Sequence, residues 1–125
     1  MVKSIEHVAI YARDSKLLTE WYVDTLGFEI VVAKNGNYFI KAEDKSMIEV
    51  CSAKEETPRF GDKARGIRHI ALVVDDFEGA VDKLRKENVQ VVIEPKISES
   101  GIKTIFFEDP EGNLLHLICR PSPLV

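Results

Sequence analysis

Two cysteines, Cys51 and Cys119, are all that the chain contains. They form no CxxC pair and are too few for a disulfide framework, so a reducing, cytoplasmic setting is expected. Positive charge is not in excess: 17 Lys+Arg stand against 21 Asp+Glu, a formal net charge of −4. That balance lacks the electrostatic footprint of a nucleic-acid binder. No run of about 18 apolar residues exists, so no membrane-spanning helix is expected. The opening Met1-Val2-Lys3-Ser4-Ile5-Glu6-His7 alternates like a strand and has no apolar h-region, so it reads as fold rather than signal peptide. There is also no Ser-His-Asp order, no phosphate-binding glycine-rich loop and no dinucleotide fingerprint. What is present is a chain of 125 residues, 45% hydrophobic and 30% charged. This is the mix of one globular domain large enough to bury a core without staples.

The chain repeats itself. Ile5-Glu6-His7-Val8-Ala9-Ile10 corresponds to Ile67-Arg68-His69-Ile70-Ala71-Leu72 at an offset of 62 residues. Asp14 follows His7 by seven residues, and Asp76 follows His69 by seven. Met47-Ile48-Glu49-Val50 answers Leu114-Leu115-His116-Leu117 at an offset of 67, so the second copy carries about five more loop residues. The chain therefore divides into a first module at about 1–53, a linker at 54–65 and a second module at about 66–125.

Each module reads as β-α-β-β-β. In the first, a strand is expected over 2–12, apolar on both faces, then a helix over about 15–26. Leu18, Trp21, Tyr22 and Leu26 recur there at helical spacing, and Gly27 suits the stop. Strands follow at 28–34, 37–42 and 46–52. Asn35-Gly36 is a strong hairpin signal because a type I′ turn needs positive φ twice. In the second module, a strand at 66–74 leads to Asp75 as N-cap with Glu78 three residues on. Phe77, Ala80, Val81 and Leu84 form one apolar face, and Asn88 suits a left-handed stop. Strands are expected at about 90–94, 102–108 and 113–119, the last two joined by a turn over Asp109-Pro110-Glu111-Gly112-Asn113.

Superposing the modules singles out four residues. His7 and His69 share a position in the first strands; Glu49 and His116 share one in the last strands. Taken alone, each His reads as a locally bonded imidazole, and Glu49 as a solvent-facing carboxylate. Four metal-capable side chains at equivalent places of a duplicated motif read instead as one site. A Glu between Ile48 and Val50 in an apolar run needs a partner if buried. Three imidazoles and a carboxylate suit a divalent Zn, Ni, Fe, Mn or Co. If first and last strands pair at about 4.8 Å, side chains on one face can reach the same ion. Cys51 shares the face of Glu49 and reads as a packed small hydrophobe. Asp14, Asp75 and Asp76 read as caps, and Trp21, Tyr22 and Phe77 as helix core. Arg13, Arg68 and Arg120 border the site; each alone reads as solvated, with an anionic substrate as the alternative partner.

With this duplicated plan and these positions, the whole chain resembles the vicinal oxygen chelate superfamily, the glyoxalase I, bleomycin resistance protein and extradiol dioxygenase group. The matching words are Ile5-Glu6-His7-Val8-Ala9-Ile10, Trp21-Tyr22-Val23-Asp24-Thr25-Leu26-Gly27-Phe28, Gly66-Ile67-Arg68-His69-Ile70-Ala71 and Asp109-Pro110-Glu111-Gly112-Asn113-Leu114-Leu115-His116-Leu117. The resemblance implies an α+β fold of two tandem βαβββ modules forming curved mixed sheets. It also implies His7, Glu49 and His69 as metal ligands. His116 stands where glyoxalase I carries a Glu, so Glu49, with His116, would be left to move the proton. The implied activity is that of a divalent-metal-dependent isomerase, epimerase or lyase. Its small-molecule substrate would carry two adjacent oxygens and pass through an enediolate. The alternatives are a bleomycin-resistance-like binding protein and an Fe(II) extradiol-type dioxygenase. A homodimer is expected, with sites within one chain or shared between subunits, and no nucleic-acid or membrane partner.

Overall fold

A computed structural model describes residues 1–56 and 63–125. The middle of the expected linker, 57–62, lies outside the described residues. The chain divides into two units, Met1–Pro58 and Arg59–Val125. Each contains one four-stranded mixed sheet and one helix, the duplicated βαβββ plan. Among the described residues no helix is long and apolar enough to cross a membrane, and both cysteines are free thiols.

The first unit runs β1 (His7–Ala12), α1 (Ser15–Leu26), β2 (Glu29–Lys34), β3 (Asn37–Lys41) and β4 (Met47–Ser52). Its sheet order is β1-β4-β3-β2, so the first and last strands pair, and they do so in parallel. Strand β1 is shorter than the expected 2–12. His7 already sits opposite Met47, where β4 begins, so residues upstream have no ladder partner and are exposed. Nor is β1 apolar-buried on both faces: Ala9 and Tyr11 stay exposed while Ala12 is buried. The period of two is clear in β4, where Ile48 and Val50 are buried and Met47, Glu49 and Cys51 are half-buried. Ile48, Val50 and Ile40 of β3 form the core with Leu18 and Tyr22 of α1. The buried stripe of α1 is Ser15, Leu18, Thr19, Tyr22 and Thr25. Trp21 and Leu26 lie on its flank, half-buried, so the contact face is turned toward the hydroxyl residues. Asp14 caps the helix through Leu17 N, and Gly27 ends it at φ 78°. Asn35 and Gly36 take the expected positive φ, 53° and 79°.

The second unit runs β5 (Ile70–Val73), α2 (Phe77–Lys86), β6 (Gln90–Ile97), β7 (Lys103–Glu108) and β8 (Leu114–Cys119), with sheet order β5-β8-β7-β6. Strand β5 is confined to four residues where 66–74 was expected. The N-cap is Asp76, not Asp75: its carboxylate accepts from Gly79 N. Glu78 therefore closes no capping box, and pairs instead with Lys103 at 2.6 Å. Phe77, Val81 and Leu84 are buried as the helical spacing requires, and Asn88 takes φ 53°. Strand β6 continues past the expected 94 because β7 still offers partners, Thr104 to Lys96 and Lys103 to Ile97, and its place at the sheet edge tolerates a proline. Pro95, which has no N–H to donate, falls in the register break between Ile93 and Lys96.

Candidate metal centre

The parallel pairing of first and last strands sets the site geometry in both units. In the first, Ala9 lies opposite Glu49, so His7, two residues earlier, shares a face with Glu49. His7 Nε2 stands 3.8 Å from Glu49 Oε1. That is too long for a hydrogen bond, but two donors each about 2.0–2.2 Å from one ion lie within about 4 Å of each other. The other ring nitrogen, Nδ1, is 3.0 Å from Glu6 Oε1, the outer partner that orients a ligating imidazole. Phe39, opposite Glu49 on β3, meets the His7 ring edge-on at 5.2 Å. Burial, and then the Glu49 charge, push the Cys51 thiol up, so it stays protonated beside that carboxylate.

The second unit repeats the register. Ala71 lies opposite His116, which again places the earlier His69 on the same face. The His69 and His116 ring centroids are 4.5 Å apart. Phe106, opposite His116 on β7, touches both, at 5.5 Å from His69 and 4.4 Å from His116. His116 is only 8% exposed. Its Nδ1 is buried with no hydrogen-bond partner. Burial first, then the charges of His69, Arg68 and Arg120, push its pKa down to about 4. His69 is lowered by burial and by Arg68. Both imidazoles are thus held neutral near pH 7, the form that ligates metal.

Each unit therefore brings together one of the two expected pairs. The pairs use all three histidines of the chain. Among the described residues no group of three or more His, Cys, Asp and Glu is assembled. The donors fit a divalent transition ion on two grounds: an orphaned buried imidazole nitrogen, and a carboxylate facing an imidazole just beyond hydrogen-bond range. Of the bordering arginines, Arg13 pairs with Glu56 at 3.5 Å, whereas Arg68 and Arg120 act on His116. Asp109 is structural: its carboxylate accepts from Glu111 N, Asn113 N and Asn113 Nδ2. The two phenylalanines are absent from the sequence reading. Their signal was available, because Phe39 and Phe106 are separated by the same 67 residues as Glu49 and His116.

Comparison with known proteins gives a consistent picture. A family model described as the Glyoxalase/Bleomycin resistance protein/Dioxygenase superfamily matches residues 4–117. A probable lactoylglutathione lyase of Synechocystis sp. is 30% identical, the alignment covering 93% of this chain and 95% of the relative. The crystal structure of a glyoxalase family protein from Enterococcus faecalis is similar with TM-score 0.78 and 26% identity, over 93% of this chain and 97% of that one. A glyoxalase/dioxygenase structure from Nostoc punctiforme shares the fold at TM-score 0.81 and 17% identity, over 96% of this chain and 92% of that one.

Proposed function

The chain belongs to the Glyoxalase/Bleomycin resistance protein/Dioxygenase superfamily, and from that premise we propose that it is a divalent-metal-dependent, glyoxalase I-like isomerase, epimerase or lyase acting on a small molecule with two adjacent oxygens. The observation that carries this reading is the donor pair repeated at one register, His7 with Glu49 and His69 with His116. These four residues would hold the ion, whether Zn, Ni, Mn, Co or Fe. When bound, a divalent metal supplies charge stabilisation to the substrate's adjacent oxygens while the neighbouring C–H is ionised.

The remaining chemistry belongs to the chain. Glu49 is the only carboxylate of the set and is the proton carrier. It is half-buried, with the buried Ile48 and Val50 on either side, so it is partly desolvated yet reachable. Glu49 takes the proton from the carbon beside a carbonyl. Returning it to the adjacent carbon gives isomerisation; a proton delivered to the opposite face of the same carbon gives epimerisation. His116, neutral and buried, serves as a ligand rather than as an acid. Phe39 meets the His7 ring edge-on and Phe106 packs against both His69 and His116, which holds the ring planes of the histidines. The working assembly in this reading is a homodimer whose sites are shared between subunits.

Solvent-exchange chemistry tests the proposal. Metal-loaded protein in D₂O should place deuterium beside the carbonyl of some member of a panel of 2-hydroxycarbonyl and 2-oxo compounds. The panel includes the hemithioacetal of methylglyoxal and glutathione, suggested by the name of the Synechocystis relative. A chelator should stop the exchange and an added divalent ion restore it. Metal content far below stoichiometric, with no rise in melting temperature on adding Zn, Ni, Mn, Co or Fe, would remove the metal reading.

A further inference from the structure

Two guanidinium groups attend the histidine pair of the second unit. Arg68 lies next to His69, its Nη1 3.4 Å from His69 Nδ1. Its Cζ stands 5.2 Å from the centroid of Phe106, the ring that touches both imidazoles. An aromatic face beneath a guanidinium holds the cation while leaving its N–H fork free to donate. Arg120 follows β8, and by the period of two it shares a face with His116 and Ile118. It is half-buried. Both guanidinium charges reach His116.

Among the described residues neither arginine has an ion-pair partner, although Arg13 and Arg85 do, with Glu56 and Glu94. The side chains around His69 and His116 in this unit are thus cationic before any metal enters; a divalent ion would add two positive charges, and the Glu49 carboxylate of the proposed set offsets only one. Positive charge remains in excess. A carboxylate matches a guanidinium fork in two parallel, charge-assisted hydrogen bonds. We propose that Arg68, supported by Arg120, recognises a small carboxylate, so that the substrate is an acid bearing its carboxyl group beside the two adjacent oxygens. This rests on reading the site as one for small vicinal-oxygen compounds.

Calorimetry with malonate and its uncharged analogue malonamide tests the assignment, on the full chain in both metal-loaded and metal-free forms. The wild-type protein should prefer malonate, and the preference should weaken as salt is added. Arg68→Met should lower malonate affinity about tenfold in both forms and leave malonamide unchanged, because only the charge-assisted bonds are lost. Arg68→Lys should keep part of the preference, since the charge remains and the fork is lost. Arg120→Met should act in the same direction to a smaller extent. Arg68 is exposed, so its variants should fold, which circular dichroism checks. Equal malonate binding by wild type and by the Arg68→Met, Arg120→Met double variant would overturn the proposal. Metal content of the same samples separates the two ideas. Protein that takes up no metal but loses malonate in Arg68→Met keeps the carboxylate site and loses the metal reading. Protein that takes up metal and binds malonate regardless of both arginines loses the carboxylate site alone.

Discussion

Glu49 and His116 hold the same place in their sheets, yet their environments differ. Glu49 keeps a fifth of its side-chain surface open, 21%, while His116 is 8% exposed with one nitrogen unpartnered. Glu49→Gln preserves shape and removes basicity. Turnover should fall about 10²–10⁴-fold, the usual contribution of a positioned base, while the thermal melt of the metal-free protein moves little. A variant that binds metal and turns over at full rate would place the proton carrier elsewhere. His116 gives a prediction in pH. Its folded pKa, about 4, lies below its ordinary 6.5, so between those values the unfolded chain binds more protons than the folded one. Stability of the metal-free protein is then full above pH 6.5 and declines as pH falls toward 4. His69 is shifted in the same direction. Urea midpoints measured across that range should show the decline, and His116→Leu should flatten it. The two facing pairs, His7 with Glu49 and His69 with His116, were legible in the sequence because duplication sets polar residues at matched places in apolar strands. Phe39 and Phe106 were legible only through the same offset of 67 residues, because an aromatic in a strand is indistinguishable by type from ordinary core.

At the scale of elements, the repeat survives as register rather than as length. Ala9 meets Glu49 and Ala71 meets His116, although β1 has six residues and β5 four. Element type and order were legible from periodicity and turn chemistry. The ends were not, because a strand extends only where a neighbour offers backbone partners. Hence β1 begins at His7 and β6 runs through an edge proline to Ile97. The contact face of α1 was hidden for another reason: Ser15, Thr19 and Thr25 are buried in it, and hydroxyl residues do not register as apolar periodicity. Two substitutions test the elements. Asp109→Ala removes the acceptor of three donors in the β7–β8 turn and should cost about 2–3 kcal/mol, since charged hydrogen bonds are among the stronger ones. Asp76→Ala removes one cap bond to Gly79 N and should cost about 1 kcal/mol. Chemical denaturation of both variants measures the difference. Equal losses would mean that the buried carboxylate contributes no more than an exposed cap.

The whole molecule is where the chain's duplication has its consequence. One module carries two donors, and a transition ion bound by protein side chains takes three or four. The proposed metal site would therefore draw on two modules, from a single chain or from two copies. In the proposed homodimer each site joins the first module of one subunit to the second module of its partner. The two arrangements respond differently to mixing. His7→Ala damages the first module and His69→Ala the second, and each homodimer then has both sites incomplete. In a hybrid dimer with shared sites, one site collects both lesions and the other keeps all four ligands. Random exchange of equal amounts makes half the dimers hybrid, and half the sites in those hybrids intact. Recovered activity should approach about a quarter of wild type if subunits assort freely in a symmetric dimer. Sites confined to one chain recover nothing, because every chain in the mixture carries a lesion. Subunit exchange is followed independently by mass spectrometry of one isotopically labelled variant. A dimer that exchanges fully and stays inactive assigns all four ligands to a single chain, and a monomeric mass by sedimentation removes the shared site altogether.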